Sequence, residues 1–287
     1  MNTFKLEFIT PLFSRGEYED RVEVRPPSIR GQLHWWFRAL GGNAADEKAI
    51  FGSVHDGATA SKVVVRVSEV NGTVTRLNTL PHKSGDQASP KAACAPGLTC
   101  KLHILSRLGG LTGKHRDQFN RTLEVWLLLG TLGFRGTRAA GSFMWTDDGD
   151  CGFTPADTFE RYERRCRELL KVAPLKFALL DNVYDTTEEA RRVVSDTLGG
   201  KGDQHGKRDL DRLHDPLGKI FGGRKTSPLR FRLVRFGGKF RIAAIWDARM
   251  QVTGNSPSDL AGIIKLLAEC KPALGKQLAA SKLADNP

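Results

Sequence analysis

"RPPSIRGQLHWWFRALGG" occupies residues 25–42. Ile29, Leu33, Trp36, Phe37 and Leu40 fall at i, i+4, i+7, i+8 and i+11, which is one apolar stripe of an α-helix. Arg30, His34 and Arg38 fall at i, i+4 and i+8, on a second face. Pro26 and Pro27 disfavour helix just before them, Ser28 supplies an N-cap, and Gly41-Gly42 a stop. Adjacent helical residues point ~100° apart, so the two tryptophans cannot share a role. Trp36 is expected in the core and Trp35 beside the basic row. That row repels itself unless something anionic faces it. A local acid such as Glu17, Glu19 or Asp20 would serve, and so would a phosphate backbone. In the second case Trp35 is placed to stack on a base.

Working outward, "TFKLEFIT" (3–10) alternates apolar and polar residues as a half-buried strand does. "KVVVRVSEV" (62–70) and "GTVTRLNTL" (72–80) read as two strands joined in a hairpin at Asn71-Gly72. Residues 81–97 read as a loop and "LTCKLHILSRL" (98–108) as another strand. Residues 117–133 form an amphipathic helix with Phe119, Leu123, Trp126 and Leu127 on one stripe. A glycine-rich segment, "LGTLGFRGTRAAGSF" (129–143), follows. This order predicts an α+β fold close to the split β-α-β, ferredoxin-like (RRM-like) pattern.

An echo suggests that the pattern occurs twice. "IFGS" (50–53) precedes the first strand pair. "IFGG" (220–223) precedes "TSPLRFRLVRFGGKFRIAAIW" (226–246), a hairpin turning at Gly237-Gly238, and then a helix over 257–270. The expected division is a module over 1–150 and a second over 151–287, with the boundary in "TDDGDCGFTP".

The chain has 287 residues and a formal net charge of +12. An excess of this size points to an anionic partner, nucleic acid first. Residues 201–241 hold 12 Lys/Arg and 4 Asp/Glu, so they supply eight of the twelve net charges. Within them Lys219, Arg224 and Lys225 surround the second Ile-Phe-Gly, and Arg230 and Arg232 share a strand face. These runs serve either as solvated faces or as phosphate contacts. In the glycine-rich segment Gly130, Gly133, Gly136 and Gly141 permit positive φ and close backbone approach to a ligand. Arg135 and Arg138 stand among them, and guanidinium forks beside backbone N–H groups suit phosphate oxygens. The five cysteines are scattered without a C-x-x-C, which fits reduced thiols rather than a zinc site. No metal set, P-loop or dinucleotide fingerprint is present, and no cofactor is expected. No apolar run reaches membrane-spanning length, and the N-terminus lacks signal-peptide character, so the expectation is a cytoplasmic protein with no membrane partner.

"TPLF" after the first strand, "VRPPSIRGQLHWWFRAL", "IFGS" and the glycine-rich segment together resemble the RAMP superfamily of CRISPR effector subunits, in particular its Cmr (type III-B) branch. Ala139, Ala140 and Phe143 depart from the usual Arg-Gly-Phe-Gly-Ser ending of that segment. The resemblance implies two ferredoxin-like RAMP modules in tandem and a non-catalytic subunit of an antiviral effector. Such a subunit contacts CRISPR RNA and/or target RNA and other RAMP subunits. It makes Arg30, His34, Trp35, Arg38, Arg135, Arg138, Lys219, Arg224 and Lys225 the RNA-binding candidates. The alternative it leaves open is a metal-independent RAMP-type endonuclease processing CRISPR RNA, with His34 as general acid or base and Asp20 in the loop after the first strand.

Overall fold

Strand β1 (Asn2–Phe8) follows its alternation, burying Phe4, Leu6 and Phe8 and exposing Lys5. It lies at the centre of an antiparallel sheet, between β5 (Leu98–Ser106) and β6 (Phe143–Asp147), with β2 (Val63–Asn71) on the far side of β5. The computed structural model describes residues 2–18, 21–54, 57–81, 90–107, 109–148, 152–199, 227–253, 260–262 and 264–265. Helices α1 (Pro26–Ala39) and α2 (Ala44–Phe51) lie between β1 and β2, and α3 (Gly113–Leu129) lies between β5 and β6. The strand order is β2-β5-β1-β6. Ile29, Leu33, Trp36 and Phe37 of α1 join Phe119, Leu123 and Trp126 of α3 and the inward residues of β1 in one core.

The second sheet has the order β7-β9-β8, from β7 (Leu175–Leu179), β8 (Leu229–Phe236) and β9 (Lys239–Asp247). Gly237 and Gly238 both have positive φ, 57° and 74°, as the tight β8–β9 turn requires. Phe231 and Leu233 pack with Val193 and Val194 of α5 (Thr187–Gly199) and with Leu260 and Ile264. Of the helix expected over 257–270, the described residues 260–262 and 264–265 are helical. The other face of this sheet, through Val234, Ala243 and Ile245, joins the first core by way of α4 (Phe159–Leu170). Tyr162, Cys166 and Leu170 of α4 are buried at i, i+4 and i+8. The fold is therefore mixed α and β with antiparallel sheets. No helix among the described residues is long and apolar enough to cross a membrane.

Four local expectations change. Asn71-Gly72 is not a hairpin. β2 pairs with β5, whereas β3 (Val74–Asn78) pairs with β4 (Pro90–Cys94) in a separate ribbon. Neither residue has the positive φ of a type I′ turn. A Cβ on Gly72 would lie 2.6 Å from Leu98, so glycine lets the chain cross close to β5. Residues 90–94, read as loop, are strand. α1 begins at Pro26 with Arg25 as N-cap, because the first helical turn has no intrahelical use for the N–H that proline lacks. α3 spans Gly113–Leu129, four residues earlier at both ends than expected.

Candidate nucleic-acid interface

The two tryptophans divide as their spacing requires. Trp36 is 1% exposed, and Trp35 is 36% exposed. The basic row lies outside the core, but α2 runs beside it. Glu47 of α2 takes His34 Nδ1 at 2.6 Å and Arg38 Nε at 2.7 Å. Arg30 donates to the Phe51 carbonyl, and the His34 ring packs on Phe51 with centroids 4.3 Å apart. Among the described residues the acid facing the row is Glu47, not Glu17; Glu19 and Asp20 lie outside the described residues. Burial raises the Glu47 carboxyl, but its bonds to Arg38 and His34 prevail and hold it below its ordinary value. The sequence carried a missed signal for α2. Asn43 caps it by accepting from the Asp46 N–H at 2.8 Å, and Asn-x-x-Asp is a helix start.

The glycine-rich segment folds back on its own chain. Gly133 and Gly141 have positive φ, 81° and 62°, whereas Gly130 and Gly136 do not. A Cβ on Gly133 would meet the Phe13 carbonyl at 2.4 Å, and one on Gly141 the Leu132 carbonyl at 1.8 Å. The close approach that these glycines permit is therefore to protein backbone. The segment is also stitched to the second sheet: Phe231 N–H donates to Thr137 O at 3.2 Å, and Ala139 N–H to Phe231 O at 3.1 Å. Arg135 is exposed in a left-handed conformation, φ 62°. Arg138 is half-buried; burial, and then the charge of Arg135, lower its pKa.

Arg230 is the residue before Phe231, to which Arg138 is bridged through the backbone. The Arg230 guanidinium carbon stands 3.7 Å from the centroid of the Trp35 ring. Burial lowers its pKa to about 10, so it stays charged at neutral pH. Two of the three candidate patches, α1 and the glycine-rich segment, thus touch adjacent residues of β8, Arg230 and Phe231. Arg232, expected on the same strand face, is 1% exposed and structural. It donates to the Leu127 carbonyl at 3.1 Å and to the Phe143 carbonyl, while Tyr162 Oη donates to Leu128 O at 2.8 Å. Both side chains so occupy carbonyls at the C-terminus of α3, where a cation also suits the helix dipole. Lys219, Arg224 and Lys225, with the second Ile-Phe-Gly, lie outside the described residues.

The chemistry available is cationic and stacking. The outward face of the first sheet carries Lys5, Glu7, Arg66, Lys101 and His103 and no Phe, Tyr or Trp, so it lacks the aromatic platform of an RRM. Burial pushes the Cys100 and Cys166 thiols to about 12, far from thiolate character. No group of three His, Cys, Asp or Glu able to hold a metal occurs among the described residues.

Residues 5–143 match the sequence model of the RAMP superfamily. They belong to that superfamily. Over 72 residues the chain is 40% identical to the CRISPR system Cmr subunit Cmr1-2 of Pyrococcus furiosus, covering 22% of the chain and 37% of that relative. Over 213 residues it is 25% identical to Cmr1-1 of the same organism, covering 64% of the chain and 54% of the relative. The chain therefore spans about half or less of the length of these curated relatives. Among solved structures it resembles Cmr1 from P. furiosus in its apo form, with a TM-score of 0.55 and 22% identity over 85% of this chain and 87% of that one. It also resembles a chain of a type III-B Cmr-beta complex bound to cognate target RNA and AMPPnP. There the TM-score is 0.61 and the identity 12%, over 94% of this chain and 99% of that one. At these identities the structural likeness is one of fold.

Proposed function

We propose that this RAMP chain is a non-catalytic, RNA-binding subunit of a type III-B Cmr CRISPR effector in the cytoplasm, touching guide and/or target RNA and neighbouring RAMP subunits. The observation that carries the RNA part is the seam where α1 and the glycine-rich segment touch β8. Arg230, on the face of Trp35, and Arg135 and Arg138, in the segment bridged to Phe231, have no carboxylate partner among the described residues. Uncompensated arginines of this kind suit a phosphate backbone. The relatives' names support the assembly part. The strand order of the first sheet and the matching run of β7, α5, β8 and β9 support two ferredoxin-like modules in tandem, with the boundary near residue 150. Mixing the purified chain with the other type III-B Cmr subunits and a guide RNA tests the reading. Co-migration of the chain with the ribonucleoprotein is expected, and its exclusion would overturn the assignment.

A second reading has one observation in its favour. Glu47 orients the His34 ring as a carboxylate orients a catalytic histidine, with Arg30 and Arg38 alongside. Glu47 also holds Arg38, however, and no second acid–base group joins His34 among the described residues. Incubating the pure chain with CRISPR repeat RNA in EDTA separates the readings: cleavage abolished by His34→Ala makes the chain a nuclease.

A further inference from the structure

We propose that Arg230 is the phosphate ligand at the seam, and that Trp35 is its platform rather than a stacking surface for a base. The inference rests on the RNA-binding reading and names the residue that grips the backbone. The three arginines of β8 have separate fates. Arg232 is buried on main-chain carbonyls, and Arg235 is held bidentate by Glu7 at 2.8 and 2.7 Å. Arg230 has neither a carboxylate nor a hydrogen bond among the described residues; its contact is the face of Trp35. Stacking engages the flat face of a guanidinium and leaves its five N–H donors, which lie in the plane, unspent. A planar fork held still in this way, partly stripped of water, is preorganised for two oxygens of one phosphodiester. Arg138, whose backbone is bridged to Phe231, the next residue of β8, also has no acid partner among the described residues. Trp35 meanwhile has one face under Arg230, and Trp36 lies edge-on at 4.9 Å, so part of the ring is already used within the protein. Because Trp35 belongs to α1 and Arg230 to β8, the grip spans the two sheets.

The test uses the full-length chain with two fluorescent probes, a single-stranded oligouridylate and an oligonucleotide of the same length with abasic ribose throughout. Wild-type protein is expected to bind both. Arg230→Ala should lose roughly tenfold or more in affinity for each probe, as expected for a lost charged hydrogen bond. The slope of log K against log salt should fall by about 0.7, the loss of one phosphate contact on a single strand. Arg230→Lys keeps the charge but not the fork; it should retain the slope while losing affinity, and it serves if the alanine variant folds poorly. Trp35→Ala should weaken both probes alike, and the double variant should be no weaker than Arg230→Ala alone. If Trp35→Ala weakens only the base-bearing probe, the indole stacks on a base and the platform role is wrong. If Arg230→Ala leaves affinity and slope unchanged while wild type binds, Arg230 is not a ligand. Failure of the wild-type chain to bind either probe would instead sink the RNA-binding reading itself.

Discussion

Gly31 and Trp36, five residues apart on α1, show how a single side chain is constrained by what surrounds it. Nothing lies within 4 Å of where a Cβ on Gly31 would stand. Gly31→Ala should therefore stabilise the free protein by up to ~1 kcal/mol, through lower backbone entropy in the unfolded chain and better helix propensity. If RNA passes close over this face of α1, the same change should weaken RNA binding. Thermal melts and RNA titrations on this variant read the two effects separately, and opposite signs would mark the face as a contact surface. Trp36 is the reverse case, since it is buried and its indole Nε1 finds no hydrogen-bond partner among the described residues. Trp36→Ala should cost ~3–5 kcal/mol by opening a cavity. Trp36→Phe sheds the unsatisfied donor and should cost less than ~1.5 kcal/mol. Urea denaturation of both variants checks this pair. The direction in which Trp36 points was legible from the 3.6-residue period. Its unpartnered nitrogen was not, because that depends on atoms contributed by the rest of the core.

At the scale of elements, α1 and α2 act as a unit joined by Glu47. Its folded pKa lies below its ordinary value of 4.5, so the ionised form stabilises the fold. That contribution is complete above the unfolded value and is lost as pH falls through the folded one. Melting temperature should therefore begin to drop below about pH 4.5, and Glu47→Gln should flatten this part of the profile. Glu7, depressed first by its hydrogen bonds from Arg235, acts in the same sense and keeps part of the slope. The same Glu47→Gln variant reports on the basic row at neutral pH. Freeing Arg38 and His34 should tighten RNA binding and steepen its salt slope by up to ~0.7 if the row lies on the RNA path. An unchanged slope would mean that the row serves only to hold α1 on α2. Arg30→Ala with Arg38→Ala makes the complementary measurement. The row itself could be read from i, i+4, i+8 spacing, but the residue that neutralises it sits on a separate helix after a Gly-Gly break.

Across the whole molecule, the two halves are joined more closely than their topology suggests. Tyr162 and Arg232, both from beyond residue 150, occupy the last carbonyls of α3, and one core cluster runs from Phe4 to Ile245. Arg232→Ala should cost about 3–5 kcal/mol, from a cavity and two buried carbonyls left without donors. Residues 1–150 expressed alone should lack a cooperative unfolding transition, because the C-terminus of α3 and the core edge at Trp126 and Phe143 would face water. Circular dichroism melts of that fragment beside the full chain check this. A sharp transition in the fragment would make the first half self-sufficient.

Periodicity alone was enough for β1, for the apolar stripe of α1, for the opposite fates of Trp35 and Trp36, and for the Gly237-Gly238 turn. Each of these depends on residues a few positions apart, where bond geometry sets which side chains share a face. The RAMP motifs pointed to the superfamily whose model residues 5–143 match. Pairing across the chain was another matter. Asn71-Gly72 has the composition of a hairpin, but β2 pairs with β5 and β3 with β4, so local turn preference lost to pairing with strands further along the chain. Arg230 and Arg232 look alike as charges two apart on a strand. One is sealed against the end of α3 and the other rests on a tryptophan 195 residues earlier, and only the packing of the second sheet against the first separates them.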